Sequence, residues 1–316
     1  MPTPLVSVVI ATFNRRDVLL SCLRRYADQV DVALEIIVAD NGSTDGTADA
    51  LRKLQGVTLV EMGRNVGPLA LNAAIELAQG RYIWRTDDDA YPADSETIRK
   101  AVDVLESRPD IVGVTGEIIE LRLRKELTGY HPKYRPHEVG PNGVPISGFN
   151  GCVSLLRTDA VRAAGGFWDT FYQEEADLAA RMIVNGGMFL YMPSIVVHHI
   201  GQFSQTATRE DKTRRWILQT TTSVRLQFKY FPLWRAMARS LLHLTSQILI
   251  GFLTRVAPIT ILRTTNSAFQ CAVRTYREER ILTTRAQQRI IASNQSMLDE
   301  LVHAWRIRLR NKFQQS

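Results

Sequence analysis

An α/β fold, a mainly parallel sheet with helices on both faces followed by a helical C-terminal region, is predicted by three observations. Short apolar runs alternate with helically spaced segments over the first 115 residues. A polar cluster follows each apolar run. After about residue 205 the texture becomes helical and basic.

Taken in order, residues 6–12 read as a strand, 17–26 as a helix, 34–39 as a strand, 47–54 as a helix, 57–62 as a strand, 69–78 as a helix and 82–86 as a strand. This alternation requires a parallel sheet covered on both faces. Ligands of such sheets collect at the carboxyl ends of the strands. The polar clusters fall there: Thr12-Phe13-Asn14-Arg15, Asp40-Asn41-Gly42-Ser43, Gly63-Arg64-Asn65 and Asp87-Asp88-Asp89. A mononucleotide-sized crevice is the simplest explanation. Residues 117–147, with LRLRKE and PNGVPISG, read as a flexible excursion near that site. Regularity resumes with a strand at 152–156, a helix over 175–183 and strand-like runs at 188–192 and 195–199.

The chain has 316 residues and a net charge of +7. That total conceals an asymmetry: residues 1–200 carry 20 Lys/Arg and 26 Asp/Glu, residues 201–316 carry 19 and 6. The basic third is either a solvated helical surface or a face for anionic lipid headgroups. Its run LLHLTSQILIGFLTRVAPITIL, interrupted by His243, Arg255 and Pro258, reads as an interfacial or re-entrant helix rather than a span. An Arg-rich helical tail follows from Thr264. Cys22, Cys152 and Cys271 are scattered and odd in number, which excludes a disulfide framework or zinc site. The cysteine pattern fits a reducing cytosol, and a six-residue apolar run with no basic residue before it argues against a signal peptide and reads as a buried strand.

Three adjacent aspartates after a strand repel one another unless a cation lies between them. Oxygen ligands suit Mg²⁺ or Mn²⁺; a solvated acidic turn or helix cap is the alternative. Taken with SVVIATFNRRDVLLSCL, EIIVADNGSTDGT, RNVGPLALNAAIELAQGRYIWRTDDDAYP and GGFWDTFYQEEADLAARMIVNGG, the tract resembles the motif series of glycosyltransferase family 2, over roughly residues 5–205. The resemblance implies the GT-A fold, a nucleoside-diphosphate sugar donor (UDP-, dTDP- or GDP-linked) and inversion at the anomeric carbon. It suggests rhamnose-type or hexose transfer into bacterial surface polysaccharide.

Carried over residue by residue, Thr12, Asn14 and Arg15 match the loop beside the nucleotide, and Asp40, with Asn41, the acid that contacts the base. Arg64 and Asn65 match the loop near the donor. Asp87, Asp88 and Asp89 match the Asp-x-Asp motif, the first expected on the ribose and the third on the metal. Of His198 and His199, His199 better matches a histidine that ligates the metal; a structural histidine at a strand end is the alternative. For Asp40 alone an Asx turn is the alternative, because DNGS is good turn chemistry. An inverting transfer needs one carboxylate to take the acceptor hydroxyl's proton. Glu175 aligns with the family's catalytic acid, with Glu174 as its rival. Asp177 and Arg181, spaced i and i+4, are expected to pair structurally.

The expected organisation is a catalytic domain over 1–205 and a basic amphipathic region over 206–316, for membrane contact at the inner face of the cell membrane or for homo-oligomerisation. The acceptor is expected to be a glycan or a polyprenol-linked glycan. A nucleotidyltransferase or a Rossmann dehydrogenase fails because the first strand leaves through ATFNRR, without a glycine-rich loop. Nucleic-acid binding fails on the acidic N-terminal part. A non-catalytic, membrane-bound carbohydrate-binding scaffold is the competing reading.

Overall fold

The computed structural model describes residues 5–121, 125–127, 139–169, 172–201, 208–281, 283–285 and 287–288. Two compact units form: residues 1–170 with 174–206, and residues 171–173 with 207–316.

The first unit is built on one sheet, ordered β3-β2-β1-β4-β9-β6-β10-β5. Its strands are β1 (Val6–Thr12), β2 (Leu34–Asp40), β3 (Val57–Glu61), β4 (Tyr82–Arg85), β5 (Ala90–Pro92), β6 (Ile111–Glu120), β7 (Lys125–Leu127), β8 (Val144–Ile146), β9 (Ser154–Arg157) and β10 (Met188–His199). β3, β2, β1 and β4 pair in parallel as the alternation predicts. Beyond β4 the sheet becomes mixed, a difference from the mainly parallel expectation. β9 inserts antiparallel between β4 and β6, and β5 and β8 each pair antiparallel with β10.

β1 is the centre of the parallel half: Val6, Val8, Val9 and Ile10 are wholly buried. Each such side chain stabilises the fold by roughly 1.5–3 kcal/mol relative to exposure. Helix α1 (Arg16–Tyr26) buries Leu19, Cys22, Leu23 and Tyr26, the i, i+3, i+4, i+7 stripe that sequence periodicity selects. Its first turn is capped from outside, where Asp45 Oδ2 accepts the Arg16 N–H at 3.0 Å. α2 (Thr47–Arg52) and α3 (Leu69–Leu77) follow β2 and β3. α4 (Thr97–Ser107) and α5 (Thr158–Ala163) were not expected, because their short apolar stripes sit inside polar stretches.

Part of the expected flexible excursion at 117–147 is regular: β6 runs to Glu120, and β7 and β8 lie within it. The remainder of that excursion, 122–124 and 128–138, lies outside the described residues.

α6 (Glu174–Val184) carries the expected structural pair. Arg181 Nε donates to Asp177 Oδ2 at 2.9 Å, and both side chains are buried. Removing one partner strands a buried charge at about 3–5 kcal/mol. Asp177→Ala is therefore expected to lower the melting temperature by roughly 10 °C at about 2–4 °C per kcal/mol. An unchanged melting curve would mean that the pair contributes nothing.

The second unit consists of α7 (Arg209–Tyr230), α8 (Leu233–Leu253) and α9 (Pro258–Glu278). The single helix expected over 241–262 is broken. α8 ends at Leu253, Arg255 takes a left-handed φ of 61°, and Pro258 opens α9 in its first turn, where a missing N–H costs nothing. Among the described residues no helix is long and apolar enough to cross a membrane. The Arg-rich tail from residue 289 lies outside the described residues.

Candidate active site

The strand ends are stapled together by short side chains. Thr12 and Asp40 end β1 and β2 in register. Asn14, in the left-handed region at φ 53°, accepts the Thr44 N–H on Oδ1 at 2.7 Å and donates its own N–H to Ser43 Oγ at 2.9 Å. Asn41 accepts the Val66 N–H at 3.1 Å and donates to the Gly67 carbonyl at 3.2 Å. Asp40 accepts the Ser43 N–H at 3.2 Å and also its hydroxyl, so the Asx turn open to DNGS is formed.

Gly42 has φ +79°, and a Cβ there would stand 2.8 Å from the Arg64 backbone; only glycine lets the β2 and β3 loops approach this closely. Arg64 and Asn65 are exposed at the rim. Asn65 accepts the Gly67 N–H at 2.9 Å. A cavity of about 800 Å³ beneath α1 and α2 contains none of the three aspartates. The strand-end loops, not that cavity, mark the site.

The three aspartates differ in environment. Asp88 is buried, accepting from Thr12 Oγ1 at 2.8 Å and Arg15 Nη1 at 2.6 Å. Burial pushes its carboxyl up to about 7 against the pull of Arg15. Asp89 is also buried, yet His199 Nε2 at 3.1 Å and Arg15 Nη2 at 2.5 Å outweigh the burial and hold it well below the usual carboxylate range. The Arg15 fork thus spans two adjacent carboxylates. Asp87 turns the other way: it accepts from Arg85 Nη1 and from the Cys152 thiol at 2.8 Å. Arg85 outweighs its burial and keeps it low.

His199 ends β10 and lies between two carboxylates, with Nδ1 2.7 Å from Glu120 Oε2 and Nε2 facing Asp89. Burial pulls its pKa down, but Asp89 and Glu120 prevail and raise it to about 9. One ligand atom each from Asp87, Cys152 and His199 lie within 4.8 Å of one another. Burial, then the charge of Asp87, drives the Cys152 thiol well above its ordinary value, so it serves as a hydrogen-bond donor. That leaves Asp87 and His199 of the group, and Asp89, 3.1 Å from His199 Nε2, adds a second carboxylate; carboxylate oxygens with an imidazole are a donor set that fits Mn²⁺ or Mg²⁺.

Arg85 joins the aspartates to the acidic pair. Nη1 reaches Asp87 and the Gly151 carbonyl, the latter at 2.6 Å, while Nη2 lies 3.3 Å from Glu175 Oε1. A Cβ on Gly151 would stand 2.3 Å from Glu175 Oε1 and 3.0 Å from Arg85 Cζ, so the bare backbone here is a steric requirement of the clamp. Gly151→Ala is expected to displace Glu175 and lower turnover about tenfold or more, since misplacement by about 1 Å costs up to roughly 10²-fold. Turnover equal to the unsubstituted protein would show that the clamp tolerates a methyl group.

Glu174 Oε2 is buried and has no hydrogen-bond partner among the described residues. Burial raises the pKa of both glutamates; Arg85 offsets part of this for Glu175, whereas Glu175 pushes Glu174 higher. The chain enters α6 through Tyr172 and Gln173, non-glycine residues at φ 66° and 67°. Such left-handed backbone costs of order 1–3 kcal/mol each and concentrates at functional sites.

The structure brings Thr12, Arg15, Asp88, Asp89 and His199 together, and Asp87 and Glu175 through Arg85. Asn14, Asp40 and Asn41 bind neighbouring loops. Sequence reasoning missed Arg85, Glu120, Gly151 and Cys152. Arg85 was open to detection as a cation one residue before the acidic tract. Glu120 was hidden because the end of β6 fell inside the stretch read as irregular.

Residues 7–164, half of the chain, match the family described as glycosyl transferase family 2, and the chain belongs to that family. Among its relatives is the putative teichuronic acid biosynthesis glycosyltransferase TuaG of Bacillus subtilis, 37% identical over 91 residues. That match covers 27% of this chain and 36% of the relative's length. The N-acetylglucosaminyl-diphospho-decaprenol L-rhamnosyltransferase of Mycobacterium tuberculosis is 26% identical over 275 residues, covering 75% of this chain and 89% of that one. The fold is similar to that of the mannosyltransferase PcManGT from Pyrobaculum calidifontis in complex with GDP-Man and Mn²⁺, with a TM-score of 0.55, 19% identity, and coverage of 98% and 88%. Structural neighbours of this kind are GT-A glycosyltransferases, and GT-A is the fold of this chain.

Proposed function

We propose that the chain is an inverting glycosyltransferase that moves a sugar from a nucleoside-diphosphate sugar to a hydroxyl of a glycan or polyprenol-linked acceptor, in surface-polysaccharide assembly at the inner face of the cell membrane. The observation that carries this reading is the Arg85 clamp. It holds Asp87 and Glu175 on one guanidinium, and the reading gives the first to the donor side and the second to the acceptor side. Family membership supports the transfer, and the decaprenol-linked substrate named for the mycobacterial relative supports the acceptor class.

The acceptor oxygen attacks the anomeric carbon as its proton passes to Glu175. The bond from that carbon to the diphosphate oxygen breaks, and the diphosphate leaves with the electron pair. One displacement inverts the centre. Thr12 and Arg15 hold Asp88 behind the donor, Asp40, Asn41, Arg64 and Asn65 border the nucleotide, and Asp87 faces the ribose. Asp89 and His199 are the ligands assigned to Mn²⁺ or Mg²⁺, which when bound neutralises charge developing on the diphosphate. In its absence Arg15 and His199 already supply cations to Asp89.

Isothermal titration of UDP, dTDP and GDP, with and without Mn²⁺, tests the donor site. Metal-dependent binding of one nucleotide is expected and names the donor class. Binding of none under either condition would favour the carbohydrate-binding scaffold.

A further inference from the structure

Helix α8 exposes most of its largest side chains. Its buried positions are small or polar, Ala236, Ser240, His243, Ser246, Gln247 and Gly251, and among the described residues only Leu244, Ile248 and Ile250 pack, half-buried, against the apolar clusters of the neighbouring helices. Burial pushes His243 down to about 4, keeping the imidazole neutral in that interior. Its exposed positions are large and apolar: Trp234 at 73%, Met237, Leu241 at 70%, Leu242, Leu249 and Phe252. Residues 234, 237, 241, 249 and 252 fall at helical spacing on one side, so this is a continuous stripe. α9 repeats the pattern in part: it buries Ile261 against Trp216 and Val256, but its other buried positions are the small or polar Thr264, Ala268, Ala272 and Thr275, while Ile259, Leu262 and Phe269 are exposed. A soluble helix that only packed on its neighbours would show the opposite arrangement.

What covers this stripe follows from charge. The residues from 201 onward hold 19 Lys/Arg against 6 Asp/Glu, and Arg255 and Arg263 are exposed at the α8–α9 turn and on α9. Pairing two copies through this face would bring together two units that each carry that excess of positive charge, with Arg255 and Arg263 exposed beside the stripe. An anionic bilayer accepts both features, with apolar side chains entering the acyl boundary and arginines meeting the headgroups. Trp234, at the first turn of α8, has the amphipathic ring that favours that boundary.

We infer that the exposed apolar stripe of α8, from Trp234 to Phe252, with Ile259, Leu262 and Phe269 of α9, is a docking surface for an anionic lipid bilayer. The helices lie in the headgroup region and do not cross it. This deepens the reading of a membrane-held acceptor, on which it rests, by naming the surface that brings the enzyme to it.

The test is flotation of the full chain with vesicles of phosphatidylcholine alone or with about one third phosphatidylglycerol. The chain is expected to float at least tenfold more with the anionic vesicles. Leu241→Ser/Leu249→Ser is expected to abolish flotation, and Arg255→Glu/Arg263→Glu to abolish the preference for anionic lipid. Both replace exposed side chains, and an unchanged melting curve confirms folding; should either variant unfold, the Trp234 measurement decides. Brominated acyl chains are expected to quench the fluorescence of the wild type and to lose most of that effect in Trp234→Phe.

Equal flotation of wild type and Leu241→Ser/Leu249→Ser would overturn the proposal. So would a stable dimer in sedimentation that those substitutions dissociate, since a second copy then covers the stripe. Vesicle binding only after removal of residues 289–316 would overturn it too, by making the tail the occupant. Flotation and nucleotide titration are read separately. Loss of flotation with nucleotide binding intact sinks the docking surface alone, and the converse sinks the transferase reading alone.

Discussion

Asp89→Ala is expected to abolish metal-dependent nucleotide binding and to lower turnover about 10³-fold. A bound divalent cation supplies several kcal/mol of charge stabilisation as the diphosphate leaves, and about 4 kcal/mol corresponds to that factor. The substitution leaves Arg15 on Asp88 and His199 on Glu120, so the neighbouring contacts persist without the third aspartate. Calorimetry should show the nucleotide binding equally with and without Mn²⁺; melting should fall, since a buried carboxylate held low by His199 and Arg15 is lost, and the comparison with and without Mn²⁺ on the folded variant is therefore the readout. His199→Ala is expected to weaken the metal dependence less, because Asp89 retains both carboxylate oxygens. If Asp89→Ala bound nucleotide and Mn²⁺ together like the wild type, Asp89 would not be a metal ligand, and the acidic tract would serve only to hold Arg15 and Arg85.

The parallel half of the sheet was legible because its central strands β1 and β4 are buried on both faces and its β2 and β3 are also apolar runs, so that stretches such as VSVVIAT end at a polar cluster each time. The acidic tract and the Glu174-Glu175 pair were legible for the same reason: they stand where regular elements begin or end. The mixed half was not. β5, β7 and β8 are three residues each, too short to show a period; β5 and β8 are held by pairing with β10, from a distant part of the sequence, and β7 by pairing with the end of β6 just before it. Arg85 escaped for a related reason, since its importance arises from Gly151 and Glu175, 66 and 90 residues away. The exposed apolar face of α8 was visible only as amphipathicity. Which side turned inward depended on the small residues that let α7 and α9 approach.

Glu175→Gln is expected to lower turnover by about 10²- to 10⁴-fold, the usual contribution of a positioned base, with donor affinity unchanged. The amide keeps the size of the side chain and its contact with Arg85 but cannot accept the acceptor proton. The pH profile separates Glu175 from Glu174. A base works only when ionised, and burial raises both glutamates above the ordinary 4.5, so kcat/KM should climb with pH through an acid limb lying above that value. Glu175 pushes Glu174 the higher of the two, so Glu174 is still neutral where Glu175 titrates; in Glu174→Gln the limb therefore stays in place and turnover is retained. If instead Glu174→Gln removes turnover and Glu175→Gln only shifts the limb, Glu174 is the base.

The same shifts set a sign for stability. Carboxyls whose folded pKa is raised hold protons that the unfolded chain releases, so their stabilising contribution is complete below about 4.5 and is lost as pH rises through the folded values. The ionised form that catalysis needs is therefore the less stable form of the pair. Glu174→Gln should consequently flatten the decline in melting temperature with rising pH while leaving the enzyme active. An unchanged slope would mean that Glu174 is ionised at neutral pH in the folded protein, and the order of the two pKa values would then have to be reversed.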